Sequence, residues 1–175
     1  PSGVGKDSFM REIAAATPKV ILARRVITRA SEAAGEDFDA VSLPEFKDRK
    51  NGSDFALWWP AHGLYYGIPK EATAPLARGN DVMANLSRRV LLQARDRFPG
   101  MRVIALHADR DILRKRLLER GREDADEVAD RLDRAGYALP PEIAAIELDN
   151  SGPLQETVRK ALDLLYPVET AGFAR

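Results

Sequence analysis

The opening stretch PSGVGKDS (residues 1–8) limits the fold of this chain more than any other feature. In a GxxxxGK[ST] loop, the glycines let backbone amides wrap a phosphate chain, the lysine reaches the terminal phosphates, and the next hydroxyl binds Mg²⁺. Gly3, Gly5 and Lys6 stand at the required spacing, and the first glycine of the pattern would directly precede Pro1. A Gly-rich turn that only enters a helix is the alternative. The helix and strand pattern that follows favours a phosphate-binding loop.

Asp7 stands where such loops usually carry the Mg²⁺-binding hydroxyl, and Ser8 follows one place later. A carboxylate binds Mg²⁺ directly or through water, but an acidic residue in the first turn of a helix is also favoured by the helix dipole. Both readings of Asp7 stay open. The pattern therefore predicts Mg²⁺ at Asp7 or Ser8, and it predicts ATP binding by Ser2, Gly3, Val4, Gly5, Lys6, Asp7 and Ser8.

The strand that normally leads into such a loop is not among the given residues. In parallel sheets this strand is usually central and is covered on both faces. We therefore expect that residues upstream of Pro1 complete the sheet and the loop.

Composition predicts one α/β domain, because the chain has 175 residues and is 45% hydrophobic. Lys plus Arg equals Asp plus Glu at 27 each, so no overall field attracts nucleic acid or a membrane surface. Cysteine is absent, which excludes disulfides and thiolate metal sites. These features favour a cytoplasmic protein without nucleic acid or membrane partners, and they leave a homodimer possible.

Strands alternate with helices along the chain, which predicts a doubly wound parallel sheet. The predicted helices cover residues 7–16, 44–50, 69–78, 87–98, 109–120 and 124–135, with a last one between Pro153 and Pro167. The predicted strands cover residues 19–27, 55–59, 64–68, 81–86, 101–107 and 143–148.

Several motifs together resemble the guanylate kinase family over nearly the whole chain. In order and spacing they are PSGVGK, ITR, HGLYYGIP, RFPG, RLLERGRE and RLDRA. The resemblance is specific because the motifs stand in register. It implies a P-loop fold like that of nucleoside-monophosphate kinases, with a core (residues 1–28, 69–115 and 136–175), an acceptor-binding lobe (29–68) and a helical lid (116–135).

The departures from guanylate kinases concern the guanine site. In that family a Glu before a Trp, a hydroxyl after YYG and acidic residues after the next strand read the guanine edge. The corresponding positions here are Leu57, Ile68, Asn85 and Ser87. Each buried hydrogen bond left unmade costs about 1–3 kcal/mol, so guanine is a poor acceptor for this chain.

The stretches GKDS, TRxxxxxGED and FALxWxAHGLxYGIP resemble ribose 1,5-bisphosphate phosphokinases, a phosphonate-utilisation branch of that family. The resemblance implies transfer of the ATP γ-phosphoryl group to the 1-phosphate of ribose 1,5-bisphosphate, which gives 5-phosphoribosyl 1-diphosphate. A phosphate acceptor is already ionised near neutral pH, so catalysis would depend on positioning and charge neutralisation.

The resemblance also implies roles for individual residues. Phosphoryl transfer would use Lys6, Arg120, Arg122 and Arg131, although arginines on charged helices are often only solvated. The acceptor would be bound by Arg29, Glu36, Asp37, Tyr66, Asn85 and Ser87. Glu36 and Asp37 face either the ribose hydroxyls or Mg²⁺, or they are solvated turn residues. Asn150 lies near the adenine or caps a helix.

Two other functions compete with this one. A guanylate or other nucleoside-monophosphate kinase is disfavoured by Leu57 and Ile68. A non-catalytic guanylate-kinase-like interaction module typically loses its phosphate loop, whereas Lys6 is present here.

Overall fold

A computed structural model of the chain describes residues 3–29, 37–119 and 138–167. The described residues form two compact units. Unit 1 contains residues 3–13, 103–119, 138 and 145–167, and unit 2 contains residues 14–29, 37–102 and 139–144.

The described residues contain five α-helices, eight strands and two 3₁₀ helices. The α-helices are α1 Lys6–Ala16, α2 Leu43–Asn51, α3 Leu91–Arg97, α4 Arg110–Glu119 and α5 Leu154–Leu165. The strands are β1 Val20–Leu22, β2 Arg25–Ile27, β3 Phe38–Ala40, β4 Phe55–Ala61, β5 Leu64–Pro69, β6 Asp81–Met83, β7 Val103–His107 and β8 Ala145–Asp149. The 3₁₀ helices are Glu71–Arg78 and Arg88–Val90. Within these ranges, no helix is long and apolar enough to cross a membrane.

Unit 1 is built on the parallel pair β7 and β8, which runs from Val103 opposite Ala145 to His107 opposite Asp149. Helix α4 follows β7 directly and buries Leu113 and Leu117, which are four residues apart and share one face. Because the two strands are parallel, their carboxyl ends lie side by side, where α/β proteins commonly bind ligands.

Unit 2 contains two sheets. Strands β1 and β6 form a parallel pair, and the order of the second sheet is β3-β2-β5-β4. In the second sheet β2 is parallel to β3 and antiparallel to β5, while β4 and β5 form an antiparallel hairpin. The hairpin turns at His62 and Gly63, whose φ angles of 51° and 73° are both positive, as a two-residue hairpin turn requires.

The four-stranded sheet is apolar on both faces. One cluster contains Val26 and Phe55 with Phe46 from α2, and Trp58 and Tyr65 pack against it. The other contains Leu57, Trp59 and Ile68 together with Ala23, Val90 and Ala94 from outside the sheet. Neighbouring residues of a strand point to opposite faces, so Tyr65 and Tyr66 belong to different clusters.

The predicted strand 19–27 is wrong as a single element. It consists of β1 and β2, which belong to different sheets and are separated at Ala23 and Arg24. Strand β3 was not predicted, because it is only three residues long and two of them, Asp39 and Ala40, disfavour strands. Its stability comes from pairing with β2.

The predicted helix 69–78 differs in both its start and its type. Pro69 ends β5, and Glu71–Arg78 is a 3₁₀ helix. Pro75 lies inside it and lacks the N–H that an α-helix would need there. The predicted helix 87–98 begins as the 3₁₀ turn Arg88–Val90, and the predicted helix 124–135 lies outside the described residues.

Candidate active site

The described part of the phosphate loop, residues 3–6, takes a conformation that its glycines make possible. Gly3 and Gly5 have φ angles of 77° and 88°, a region that side chains rarely adopt. Space is also limited, because a Cβ atom on Gly3 would lie 3.1 Å from Leu117 Cγ and one on Gly5 would lie 3.0 Å from Asn150 Nδ2. Both positions therefore favour glycine for its conformation, and packing leaves little room for a larger residue.

Helix α1 starts directly after this loop. Phe9 and Ile13 are buried and hold the helix, with exposed fractions of 2% and 0%. The first turn carries Lys6, Asp7 and Ser8, all half-buried. Free N–H groups at a helix N-terminus favour a phosphate, so this turn brings the predicted ligands of ATP and Mg²⁺ together in sequence and in space.

The donor set fits Mg²⁺ that is held mainly by nucleotide phosphates. Asp7 and Ser8 supply a carboxylate and a hydroxyl, and Mg²⁺ prefers oxygen ligands and usually needs only one or two from protein side chains. Among the described residues no group of three or more His, Cys, Asp or Glu side chains could hold a metal by itself. Asp7 is also the acidic residue of the first turn, so its two readings remain compatible with the structure.

Asn150 contacts the phosphate loop from the end of β8. Its side chain is buried, and its Nδ2 donates a hydrogen bond of 2.8 Å to the carbonyl oxygen of Val4. Its own main-chain N–H donates to the His107 carbonyl over 2.8 Å, and its carbonyl accepts a bond of 2.9 Å from Arg116 Nη1. Arg116 thus lies in α4 and supports Asn150, although sequence reasoning had counted it at the start of the lid.

Asp149, Ser151 and His107 form a polar cluster beside Asn150, at the same edge of the sheet. Asp149 Oδ1 accepts hydrogen bonds from the Ser151 hydroxyl at 2.6 Å and from the Ser151 N–H at 2.9 Å. These bonds lower the pKa of the Asp149 carboxyl, and His107, whose Nδ1 lies 3.8 Å away, lowers it further. Asp149 therefore stays ionised at neutral pH and orders the turn that follows β8.

Arg29 lies beside an open cavity in unit 2. Its guanidinium carbon is 4.7 Å from the centroid of the Phe38 ring. The cavity has a volume of about 490 Å³, and its lining includes Arg29, Tyr65, Glu45 and Ser42. Its guanidinium, phenol and hydroxyl can bind a small anionic ligand, whereas the Glu45 carboxylate disfavours one on its side of the cavity.

Tyr66 points to the other face of the sheet, where it stacks on Trp59 with ring centroids 5.5 Å apart. Arg25 lies over the Tyr66 ring at 5.7 Å and donates from Nη1 to the Asn85 carbonyl over 2.9 Å. Sequence reasoning missed Arg25, which is only 9% exposed. The available signal was a charged residue inside the apolar run VILARRVI.

Ser87 and Asp37, which were also predicted to bind the acceptor, contact other groups of the protein. Ser87 Oγ accepts a hydrogen bond of 2.8 Å from Trp59 Nε1, which occupies one side of its hydroxyl. Asp37 is exposed and pairs with Arg24 Nε at 3.2 Å, which favours the reading of a solvated turn residue. Five predicted site residues lie outside the described part of the chain: Ser2, Glu36, Arg120, Arg122 and Arg131.

Leu57 and Ile68, the positions where guanylate kinases read guanine, face each other across β4 and β5. Their exposed fractions are 3% and 4%, and both belong to the hydrophobic core of unit 2. In this chain the two positions therefore serve packing.

Known proteins resemble the chain in both fold and sequence. The solved guanylate kinase from Anaplasma phagocytophilum matches it with a TM-score of 0.64 and 16% identity, covering 90% of this chain and 78% of that one. This likeness confirms the predicted P-loop kinase fold. No protein-family profile matches the chain.

Three curated relatives are similar over most of their length. Ribose 1,5-bisphosphate phosphokinase PhnN of Ruegeria sp. (strain TM1040) is 49% identical over 162 residues, which are 92% of this chain and 85% of the relative. The protein of the same name from Pseudomonas paraeruginosa (strain DSM 24068 / PA7) is 46% identical over 93% of this chain and 89% of the relative. The one from Rhizobium etli (strain CIAT 652) is 40% identical over 94% and 85%. The chain therefore belongs to the ribose 1,5-bisphosphate phosphokinase family.

Proposed function

We propose that the chain transfers the γ-phosphoryl group of ATP to the 1-phosphate of ribose 1,5-bisphosphate and releases ADP and 5-phosphoribosyl 1-diphosphate. The observation that carries this proposal is the 49% identity to a ribose 1,5-bisphosphate phosphokinase over 162 residues. The phosphate loop supports it, because Gly3 and Gly5 take the positive φ angles that such a loop uses.

The reaction needs no strong base. An ionised oxygen of the 1-phosphate attacks the γ-phosphorus, a new P–O bond forms, and the bond from the γ-phosphorus to the bridging oxygen breaks, so ADP leaves with the electron pair. The protein must hold both reactants in line and neutralise charge on the transferred group.

On the ATP side, the loop and the first turn of α1 bind the phosphates. Lys6 reaches the β- and γ-phosphates, and Asp7 or Ser8 holds Mg²⁺, which neutralises phosphate charge when bound. Arg120, Arg122 and Arg131 supply further positive charge to the transferred group.

On the acceptor side, Arg29 binds a phosphate at the cavity that Tyr65 lines. Tyr66, which packs in the cluster on the other face of the sheet, binds a phosphate there, and Asn85 and Ser87 bind sugar hydroxyls. Glu36 is assigned to the ribose hydroxyls or to Mg²⁺, whereas Asp37 pairs with Arg24. The Ser87 hydroxyl that accepts from Trp59 keeps its own hydrogen for donation. Buried Arg25, which contacts Asn85 and Tyr66, supports this group of residues.

A coupled ADP-release assay tests the acceptor. With ATP and Mg²⁺, we expect turnover with ribose 1,5-bisphosphate and at most background rates with GMP, AMP or CMP, because the buried Leu57 and Ile68 offer no partner to a base. A reaction without an acceptor measures ATP hydrolysis. Turnover of GMP alone would replace the proposal by a monophosphate kinase, and failure to bind ATP would favour the interaction module.

Leu57→Glu is expected not to create guanylate kinase activity. The carboxylate would enter a core position that is 3% exposed, so we expect a loss of at least about 2 kcal/mol in the free energy of unfolding. Urea denaturation and the ADP-release assay with GMP measure the two effects. Leu164→Glu, at a position that is 53% exposed, is the control and should change stability little. A stable Leu57→Glu variant that turns over GMP would contradict this account of the acceptor site.

A further inference from the structure

Asn150 connects three parts of unit 1 with its side chain and its main chain. The side chain donates to Val4 in the phosphate loop, the main-chain N–H donates to His107 at the end of β7, and the main-chain carbonyl accepts from Arg116 in α4. The residue is 3% exposed. A polar side chain at such depth is costly unless its hydrogen bonds repay the loss of water.

The orientation of the amide follows from its neighbours. Val4 presents a carbonyl oxygen, so the NH₂ group of Asn150 must face it, and Oδ1 must face the other way. Oδ1 is buried and accepts no hydrogen bond from any residue in the described ranges. The side chain of Asn150 therefore bonds to the loop only through its NH₂ group.

The contact falls on the part of the loop where the backbone has positive φ angles. Val4 lies between Gly3 and Gly5, both with positive φ, and Asn150 Nδ2 would lie only 3.0 Å from a Cβ atom on Gly5. The bond to the Val4 carbonyl fixes the peptide unit that joins Val4 to Gly5, and so it fixes the direction of the Gly5 N–H. In a phosphate-binding loop these backbone N–H groups are the ligands of the phosphates.

We infer that Asn150 is a positioning residue, which holds the phosphate loop in its binding conformation, and that it does not read the nucleotide base. This inference rests on the proposed function, since it assigns Asn150 a role in nucleotide binding by the same loop. Arg116 assists by fixing the main chain of Asn150. The consequence is that nucleotides with different bases depend on Asn150 equally.

The test compares three ligands of one loop. Asn150→Ala and the natural chain are titrated by calorimetry with the β,γ-imido analogue of ATP, with that of GTP and with inorganic triphosphate, each with Mg²⁺. Loss of the bond to Val4 should weaken all three by a similar factor of about ten or more. Inorganic triphosphate has no base, so its dependence on Asn150 separates the loop from the base.

Thr157→Val is the matched control. Thr157 is as buried as Asn150, at 3% exposure, and its hydroxyl donates to the Asp149 carbonyl over 3.0 Å, so the variant removes a buried side-chain hydrogen bond next to Asn150 without touching the loop. We expect a lower melting temperature with unchanged affinity for all three ligands.

Asn150→Asp keeps the shape of the side chain and provides a second test if the alanine variant does not fold. The ionised carboxylate of this variant would face the Val4 carbonyl and repel it, whereas the protonated acid could donate to it. Because an ionised carboxylate cannot donate to a carbonyl oxygen, we expect this variant to weaken all three ligands by a similar factor.

Three results would overturn the inference. One is a loss of affinity for the ATP analogue with the GTP analogue and triphosphate unchanged, which would make Asn150 a base-reading residue. The second is a lower melting temperature with all affinities kept, which would make its role structural only. The third is an Asn150→Asp variant that loses affinity for the ATP analogue alone. Because these titrations contain no acceptor, failure of ribose 1,5-bisphosphate as a substrate would appear separately, in the ADP-release assay.

Discussion

Replacement of Lys6 by alanine is expected to reduce turnover of ATP and ribose 1,5-bisphosphate by about 100-fold or more. Lys6 is the first residue of α1 and directly follows Gly5. Its ammonium group is therefore the positive charge that lies next to the phosphate loop in the sequence. This charge interacts most strongly when negative charge moves from the γ-phosphoryl group to the leaving oxygen. The loss should therefore appear in kcat as well as in the KM for ATP.

Folding should be almost unaffected by the same change. Lys6 is half-buried at a helix start and does not belong to the hydrophobic core, so we expect the free energy of unfolding to change by less than about 1 kcal/mol. Lys115→Ala, which removes an exposed lysine that pairs with Glu119 on α4, is the control and should keep full turnover. Lys6→Arg should recover little, because a planar guanidinium does not replace a compact ammonium group. A Lys6→Ala variant as active as the natural chain would remove the loop from catalysis.

The phosphate loop was predictable because its requirements are local. The two glycines and the lysine are set by a conformation that a few consecutive residues adopt, and Gly3 and Gly5 show the expected positive φ angles. The parallel pair β7 and β8 was predictable for a similar reason, since each strand is an apolar run next to a helix with a clear pattern.

Features that depend on distant partners were not predictable in the same way. The run at residues 19–27 reads as one strand, yet β1 pairs with β6 whereas β2 pairs with β3 and β5. The break at Ala23 and Arg24 is set by these partners. Similarly, the alternation of a strand places Tyr65 and Tyr66 on opposite faces, but only the packing shows that Tyr66 stacks on Trp59.

The candidate site shows the same division between local and distant information. Sequence placed Asn150 near the adenine or at a helix cap, because it follows a parallel strand, and it gave no sign of the bond to the Val4 carbonyl 146 positions away. Arg25 was predicted as a strand residue, which it is, but the sequence did not show that its side chain is buried beside Asn85 and Tyr66. Both assignments needed the fold, since the contacts join residues far apart in the chain.

Gly67→Ala is expected to lower the free energy of unfolding by at least about 2 kcal/mol. Gly67 lies in β5 between Trp58 of β4 and Val26 of β2, so its backbone is paired on both sides. An added Cβ atom would lie 2.5 Å from Cε1 and 2.6 Å from Cδ1 of the Phe55 ring. That ring is buried and stacks on Phe46 with centroids 4.6 Å apart, so it has little room to move.

Urea denaturation measures this effect, and two further variants show its origin. Gly100→Ala is the control, because a Cβ atom there meets nothing within 4 Å, and it should change stability by less than about 0.5 kcal/mol. Phe55→Ala removes every ring atom that collides, so the double variant Phe55→Ala/Gly67→Ala should be more stable than the sum of the two single changes by about 1 kcal/mol or more. Purely additive effects would show that the loss at Gly67 comes from backbone entropy or the strand pairing, with no contribution from the Phe55 ring.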